Sequence, residues 1–168
     1  TQEDISFDTV PVQNCTTNQL LYKLKDNEAL IFEATGITFP VETSTQTLDI
    51  SESNRVIYRF YNNTVTRATI CESIPPASPI VTDQWLASGG KIVITTKAIK
   101  KTDEKDNSSK ITGYNHNIIY KNVTFNKTNG IQVYETFVFG DYVVNTNPLP
   151  FAFTKVLKQC PITKQVYD

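Results

Sequence analysis

The chain has 168 residues, with 16 lysines and arginines against 17 aspartates and glutamates. That length suits one domain with a hydrophobic core of its own, and the near balance of charge supplies no field that would steer it to nucleic acid or a membrane surface. No apolar run approaches the roughly 20 residues of a membrane span. Asparagine and threonine make up roughly one residue in five, above average usage. Together with eight tyrosines and nine phenylalanines, they point to strands joined by turns: Thr, Tyr and Phe suit a half-buried pleated surface, and Asn suits turns.

Residues 1–14 are polar in several positions and read as an extended N-terminal tether, with a short strand at 5–10. Residues 15–168 read as a single β-domain. Thr1 is not an initiator methionine, and removal of a secretory signal upstream would account for it, as would other trimming. Residues 18–34 fit either a helix capped by Asn18 or a hairpin of 20–25 and 29–34 turning at Asp26-Asn27-Glu28. The β-rich surroundings favour the hairpin.

A second hairpin is expected from 55–61 and 64–70, joined by Asn62-Asn63, since asparagine tolerates the positive φ of a tight turn. In that register Val56, Tyr58 and Phe60 share a core face, Phe60 faces Val65, and Arg59 pairs with Thr66 on the wet face. The segment Ile74-Pro-Pro-Ala-Ser-Pro79 cannot be a central strand, because three prolines remove three donors. It is expected to carry the chain from one sheet to another. Trp85 reads as a core plug ahead of Gly89-Gly90.

Residues 91–99 alternate Ile92, Ile94, Thr96 and Ala98 on one face, and the charged stretch 100–110 reads as a solvated loop tip. Strands at 118–125 and 131–139 are joined through Asn126-Lys-Thr-Asn-Gly130, and the second is expected to run past a bulge at Gly140 to Val144. Short strands at this spacing predict an all-β antiparallel sandwich of roughly eight to ten strands, with Val56, Tyr58, Phe60, Val65, Ile92, Ile94, Phe137 and Phe139 in its core. A closed β-barrel is the alternative, given the long strands after Ile111.

Chemistry is sparsely announced. His116, the single histidine, sits in Tyr114-Asn-His-Asn117 with no G-x-S-x-G elbow to serve, and reads as a surface or structural residue. Of the acids on expected strands, Glu33, Glu135 and Asp141, the last two share a strand at about 20 Å, too far for a glycosidase pair. Arg55, Arg59 and Arg67 cluster beside Tyr58, Phe60 and Tyr61, yet without a basic excess cross-strand pairing explains them better than nucleic acid. Five N-x-S/T sequons occur, at Asn14, Asn62, Asn107, Asn122 and Asn126, where about three would arise by chance in so Asn- and Thr-rich a chain. No catalytic, metal or cofactor site is expected, and the chain is read as no enzyme.

Cys15, Cys71 and Cys160 are too widely spaced for a zinc motif. In a cytosolic domain they would be buried thiols. In an exported one, a single disulfide is expected. Cys15–Cys160 is favoured over Cys15–Cys71 and Cys71–Cys160, since both favoured cysteines flank the expected core and chain ends often lie close together.

Read together, Leu21-Tyr-Lys-Leu-Lys-Asp-Asn-Glu-Ala-Leu-Ile31, Arg55-Val-Ile-Tyr-Arg-Phe-Tyr-Asn62, Ile70-Cys-Glu-Ser-Ile-Pro-Pro-Ala77, Gly89-Gly-Lys-Ile-Val-Ile-Thr-Thr96 and Gly113-Tyr-Asn-His-Asn-Ile-Ile119 resemble small, uncharacterised envelope lipoproteins of Bacteroidota, of flavobacterial type. The resemblance covers most of the chain. It implies a lipidated cysteine upstream of Thr1 as membrane anchor, export to the periplasmic or external face of the outer membrane, and no enzymatic activity. It also makes Thr9, in Asp8-Thr9-Val10, resemble an O-glycosylation acceptor. The expected role is an accessory or interaction subunit of an outer-membrane protein complex. The alternatives are a carbohydrate-binding module using exposed aromatic residues, and a cryptic hydrolase. Trp85, Tyr61 and Arg59 are the expected ligand or partner surface.

Overall fold

The computed structural model describes residues 4–146, 158–159 and 166–167. The chain is all-β: eight strands form one curled antiparallel sheet, a half-barrel. In chain order they are β1 (Gln13–Asn14), β2 (Leu20–Lys25), β3 (Glu28–Glu33), β4 (Ser44–Asp49), β5 (Arg55–Tyr61), β6 (Val81–Thr102), β7 (Ser109–Lys127) and β8 (Gly130–Asn145), with one helix, α1 (Arg67–Cys71), between β5 and β6. A separate pair, β9 (Lys158–Gln159) and β10 (Val166–Tyr167), completes the described residues. Neighbours in the sheet run β1-β2-β3-β5-β6-β7-β8, and β4 also pairs with β6.

The first hairpin forms as the β-rich context favours. Lys25 pairs with Glu28 around a two-residue turn in which Asp26 takes a positive φ of 52°. Leu21 and Lys23 turn to the inside of the curl and Tyr22 to the outside, where it is equally buried. A helix would have gathered the leucines on one side. The sheet buries both faces of this strand instead.

The Asn62-Asn63 hairpin does not form. β5 pairs with β3 on one edge (Leu30 with Tyr58) and with β6 on the other (Tyr58 with Trp85), so no ladder position remains for residues 64–70. Arg59 lies opposite Gln84 rather than Thr66, and its Nε donates to Gln84 Oε1 at 2.7 Å. The chain after β5 turns onto the outer face, where Val65 and Ile70 pack with Tyr22, Ala29, Ile31, Ile57 and Tyr61. A central strand that is apolar on both faces needs cover on both, and this segment provides the outer half. Val65 is thus buried, but in the outer cluster and away from Phe60. The proline-rich segment is not a strand, and it links α1 to β6 within one sheet rather than joining two sheets.

The curl is set by a bend across the long strands. β6 slips register on both sides of Gly89, and Gly90 takes φ 122°. A Cβ at Gly90 would meet the carbonyl oxygens of Lys121 and Asn122 at 2.9 Å, and Asn122 itself has φ 50°. Only glycine tolerates both that close approach and that backbone geometry. The bend divides β6, so Val81–Leu86 pair with β5 while residues 91–96 pair with β4. The β7–β8 hairpin turns at Thr128-Asn129 before Gly130, and β8 continues past a register shift at Gly140 (φ 133°) as expected.

The inner face carries the main core: Leu30, Phe32, Val56, Tyr58, Trp85, Ile92, Ile94, Ile118, Tyr120, Phe125, Phe137 and Phe139 among others, with Phe60 only partly buried against it. Phe32 meets Phe139 across the interior at 5.9 Å between ring centroids. The described part of the expected tether is packed rather than free. Ile5 and Phe7 are buried in this core, Phe7 edge-on to Tyr58 at 5.8 Å. Lys23 Nζ donates to Phe7 O at 3.0 Å and Lys25 Nζ to Ser6 O at 3.2 Å. Apolar side chains at alternate positions turned the segment inward, because leaving Phe7 in water forfeits its burial.

Candidate functional site

Cross-strand pairing builds one concave site with chemically varied walls. Phe60 lies next to the end of β5, Asp83 and Trp85 lie near the start of β6, and Lys127 closes β7 beside the Thr128-Asn129 turn. With Asn27 and Thr82 they line an open pocket of about 470 Å³ at one end of the sheet. The Trp85 ring stands 5.3 Å from that of Phe60, inclined at 56°, and is perpendicular to Tyr58 at 5.2 Å. Its indole Nε1 donates to Asp83 Oδ2 at 3.1 Å, while Thr128 Oγ1 donates to Asp83 Oδ1 at 3.2 Å. Lys127 Nζ lies over the Trp85 ring, 4.6 Å from its centroid. Asn27 Nδ2 donates to Tyr61 O at 2.9 Å, which fixes the adjoining turn to the end of β5.

Of the residues expected as a ligand or partner surface, Trp85 and Tyr61 are only 4% and 3% exposed. The first is the core plug expected of it, and the second belongs to the outer cluster under Val65 and Ile70. Neither offers an open ring for stacking. Arg59 is half-buried and held by Gln84. Sequence reasoning missed Asp83, Lys127 and Asn129 here, because the start of β6 and the β7–β8 hairpin end lie far apart in the chain and meet only once the sheet is paired.

His116 is structural and lies on a regular stretch of β7, paired with Thr96 on β6 and Tyr142 on β8. It is 1% exposed, its Nδ1 lies 2.8 Å from Thr96 Oγ1 on the neighbouring strand, and Phe39 packs on its ring at 5.0 Å. Burial lowers its pKa from the ordinary histidine value. Lys23, 3% exposed, is likewise lowered by burial, which the charges of Asp8 and Asp141 partly oppose.

The strand carboxylates are occupied separately. Glu33 holds Arg55 through two bonds of 2.6 and 2.9 Å, and this hydrogen bonding raises the Arg55 pKa. Asp141 accepts from Asn115 Nδ2 and Asn117 Nδ2, both at 3.0 Å, and Glu135 is exposed. They do not converge.

Cys15 is bonded to Cys71, not to Cys160, with the two Cα atoms 5.3 Å apart. The expected pairing is corrected because α1 lies on the outer face of β2 and β3 and brings Cys71 to the residue after β1. Cys160 lies outside the described residues. Thr9 is exposed in a turn, and the five sequon asparagines are exposed as well.

A different kind of surface runs along β8. Among the described residues this strand pairs with β7 alone, and its exposed positions include Ile131, Val133, Val138 and Val143 (69%, 48%, 52% and 48% exposed) together with Glu135, Thr136 and Asp141. No protein-family model, curated protein or solved structure matches the chain.

Proposed function

We propose that this chain is a non-enzymatic interaction module: a lipid-tethered β-domain that serves as an accessory subunit of an outer-membrane protein complex. Its anchor is a lipidated cysteine upstream of Thr1, as in the Bacteroidota envelope lipoproteins it resembles, and its location is extracytoplasmic. The observation that carries this reading is β8, a 16-residue strand that pairs with β7 alone among the described residues and exposes the β-branched side chains of Ile131, Val133, Val138 and Val143. Natural sheets blunt such edges with charge, proline or cover; β8 carries exposed Glu135 and Asp141, and the apolar side chains interspersed with them suit docking of a partner. The Cys15–Cys71 disulfide supports an oxidising compartment. For the finer architecture we favour the barrel alternative over the sandwich, supported by the contact of Phe32 with Phe139 across the interior and by the N-terminal segment packed inside the curl.

The carbohydrate alternative needs open aromatic faces, which the burial of Trp85 and Tyr61 does not provide. A photo-crosslinking amino acid placed at Val133 or Val138 in envelope-expressed protein tests the interaction reading. A discrete envelope-protein adduct is expected there and not from Lys101 at the opposite hairpin tip. Recovery of free monomer from every position would overturn it.

A further inference from the structure

We propose that the open seam of the half-barrel, between β8 and the β1–β2 side of the sheet, takes an extended segment of a partner protein that carries lysine or arginine among apolar residues and pairs as a strand with β8. The inference rests on the docking role proposed for β8 and names the chemistry of what docks. Two cavities, of about 660 and 460 Å³, lie along the seam. Asn14 of β1 and Lys23 of β2 join β8 in lining the larger, so it reaches both sides of the opening. Both cavities include Asp8 and Val138, and together they follow β8 from Tyr134 to Val143, about 30 Å of extended chain.

No ladder fills this seam. Residues 4–12, which border both cavities, form no strand, and their backbone–backbone hydrogen bond is internal, from Val10 N to Phe7 O at 3.0 Å. The backbone groups of β8 that point away from β7 receive nothing from that segment, and one further strand about 4.8 Å away would satisfy them.

Charge selects the occupant. Asp4, Asp8 and Asp141 line the cavities, and Glu135 is exposed on the same stretch of β8. None of the four forms a salt bridge among the described residues. Lys23 is the one cation in either lining, and it is 3% exposed with its ammonium donated to Phe7 O at 3.0 Å. Lys121, outside both linings, gives its ammonium to Thr136 Oγ1. Cationic side chains on an incoming strand compensate the carboxylates, and its apolar ones meet Val138 and Val143. An anionic segment is repelled, and a second copy would bring the same carboxylates against these.

A labelled ten-residue peptide of alternating valine and lysine, titrated into the full chain, is expected to raise its anisotropy saturably and to slow hydrogen exchange in residues 130–145 but not in 55–61. A valine–glutamate peptide, and a valine–lysine peptide N-methylated throughout, should each bind at least about tenfold more weakly. Asp8→Asn with Asp141→Asn, both at exposed positions, should weaken the first peptide by about tenfold. An absence of saturable binding, equal binding of either control peptide, or indifference to the two substitutions would each overturn the proposal. So would a free chain whose β8 amides are all protected already, by a second copy or by the chain itself. A discrete crosslinked adduct at Val138 without peptide binding would sink this chemistry and leave the docking reading standing; peptide binding with no adduct from any position would do the reverse.

Discussion

Tyr120 lies in the interior with a hydroxyl that has no hydrogen-bond partner among the described residues, and burial pushes its pKa well above the ordinary tyrosine value. An unpaired buried hydroxyl costs more than a satisfied one contributes, so Tyr120→Phe is expected to stabilise the protein by about 1 kcal/mol in urea unfolding. Phe139 and Phe60 provide a contrast in burial. Phe139 is fully buried, and its truncation to Ala should cost about 3–5 kcal/mol. Phe60 is only partly covered, so the same change should cost clearly less. Equal costs would contradict the burial described. His116 carries a pH dependence whose sign follows from its lowered pKa. The folded state binds fewer protons than the unfolded chain, whose histidine titrates near 6.5, so its stabilisation is present above that value and is lost as pH falls below it. Unfolding at graded pH should show a slope of at most about 1.4 kcal/mol per unit just below pH 6.5, absent in His116→Gln.

At the scale of elements, the disulfide joins residues 56 apart and fastens α1 to the outer face of β2, β3 and β5. The chain-entropy relation gives about 4 kcal/mol for a loop of that length, an upper expectation because unfolded chains retain structure. Cys71→Ser should lower stability in that direction, and non-reducing peptide mapping should recover a Cys15–Cys71 peptide with Cys160 alkylatable. A bridged Cys160 peptide would contradict the pairing. The bend at Gly90 is the second element-scale feature. Gly90→Ala places a methyl against two backbone oxygens at positive φ, so it should destabilise by more than the roughly 1 kcal/mol of an ordinary interior glycine exchange.

For the whole molecule, the half-barrel depends on its N-terminal segment as well as its sheet. Ile5 and Phe7 fill the inside of the curl, and two lysine ammonium groups hold the segment's carbonyls. Phe7→Ala should therefore cost about 3–5 kcal/mol, like an interior core residue and unlike a change in a free tail, for which the effect would be near zero. A thermal midpoint unchanged by Phe7→Ala would contradict the packing of this segment.

Much of the local structure was legible in the residues. The hairpin of 20–25 and 29–34, which the structure forms one residue earlier at Glu28–Glu33, the Asn-Gly turn before Ile131 and the bulge glycine at 140 are short-range signals with a favourable backbone solution. β4 passed unread, because Ser-Thr-Gln-Thr-Leu-Asp offers a single apolar residue and gains its place only by pairing with β6. The Asn62-Asn63 turn was misread for the converse reason: residues 64–70 have strand propensity, but β3 and β6 already occupy both edges of β5. The sequence by itself determined an all-β chain, most of its strands and most of its core. Only the tertiary structure decided that the strands form one curled sheet, that Cys71 meets Cys15, and that Asp83, Trp85 and Lys127 share a pocket. Those outcomes depend on which distant segments win each ladder position and each uncovered apolar face, and no local pattern encodes that competition.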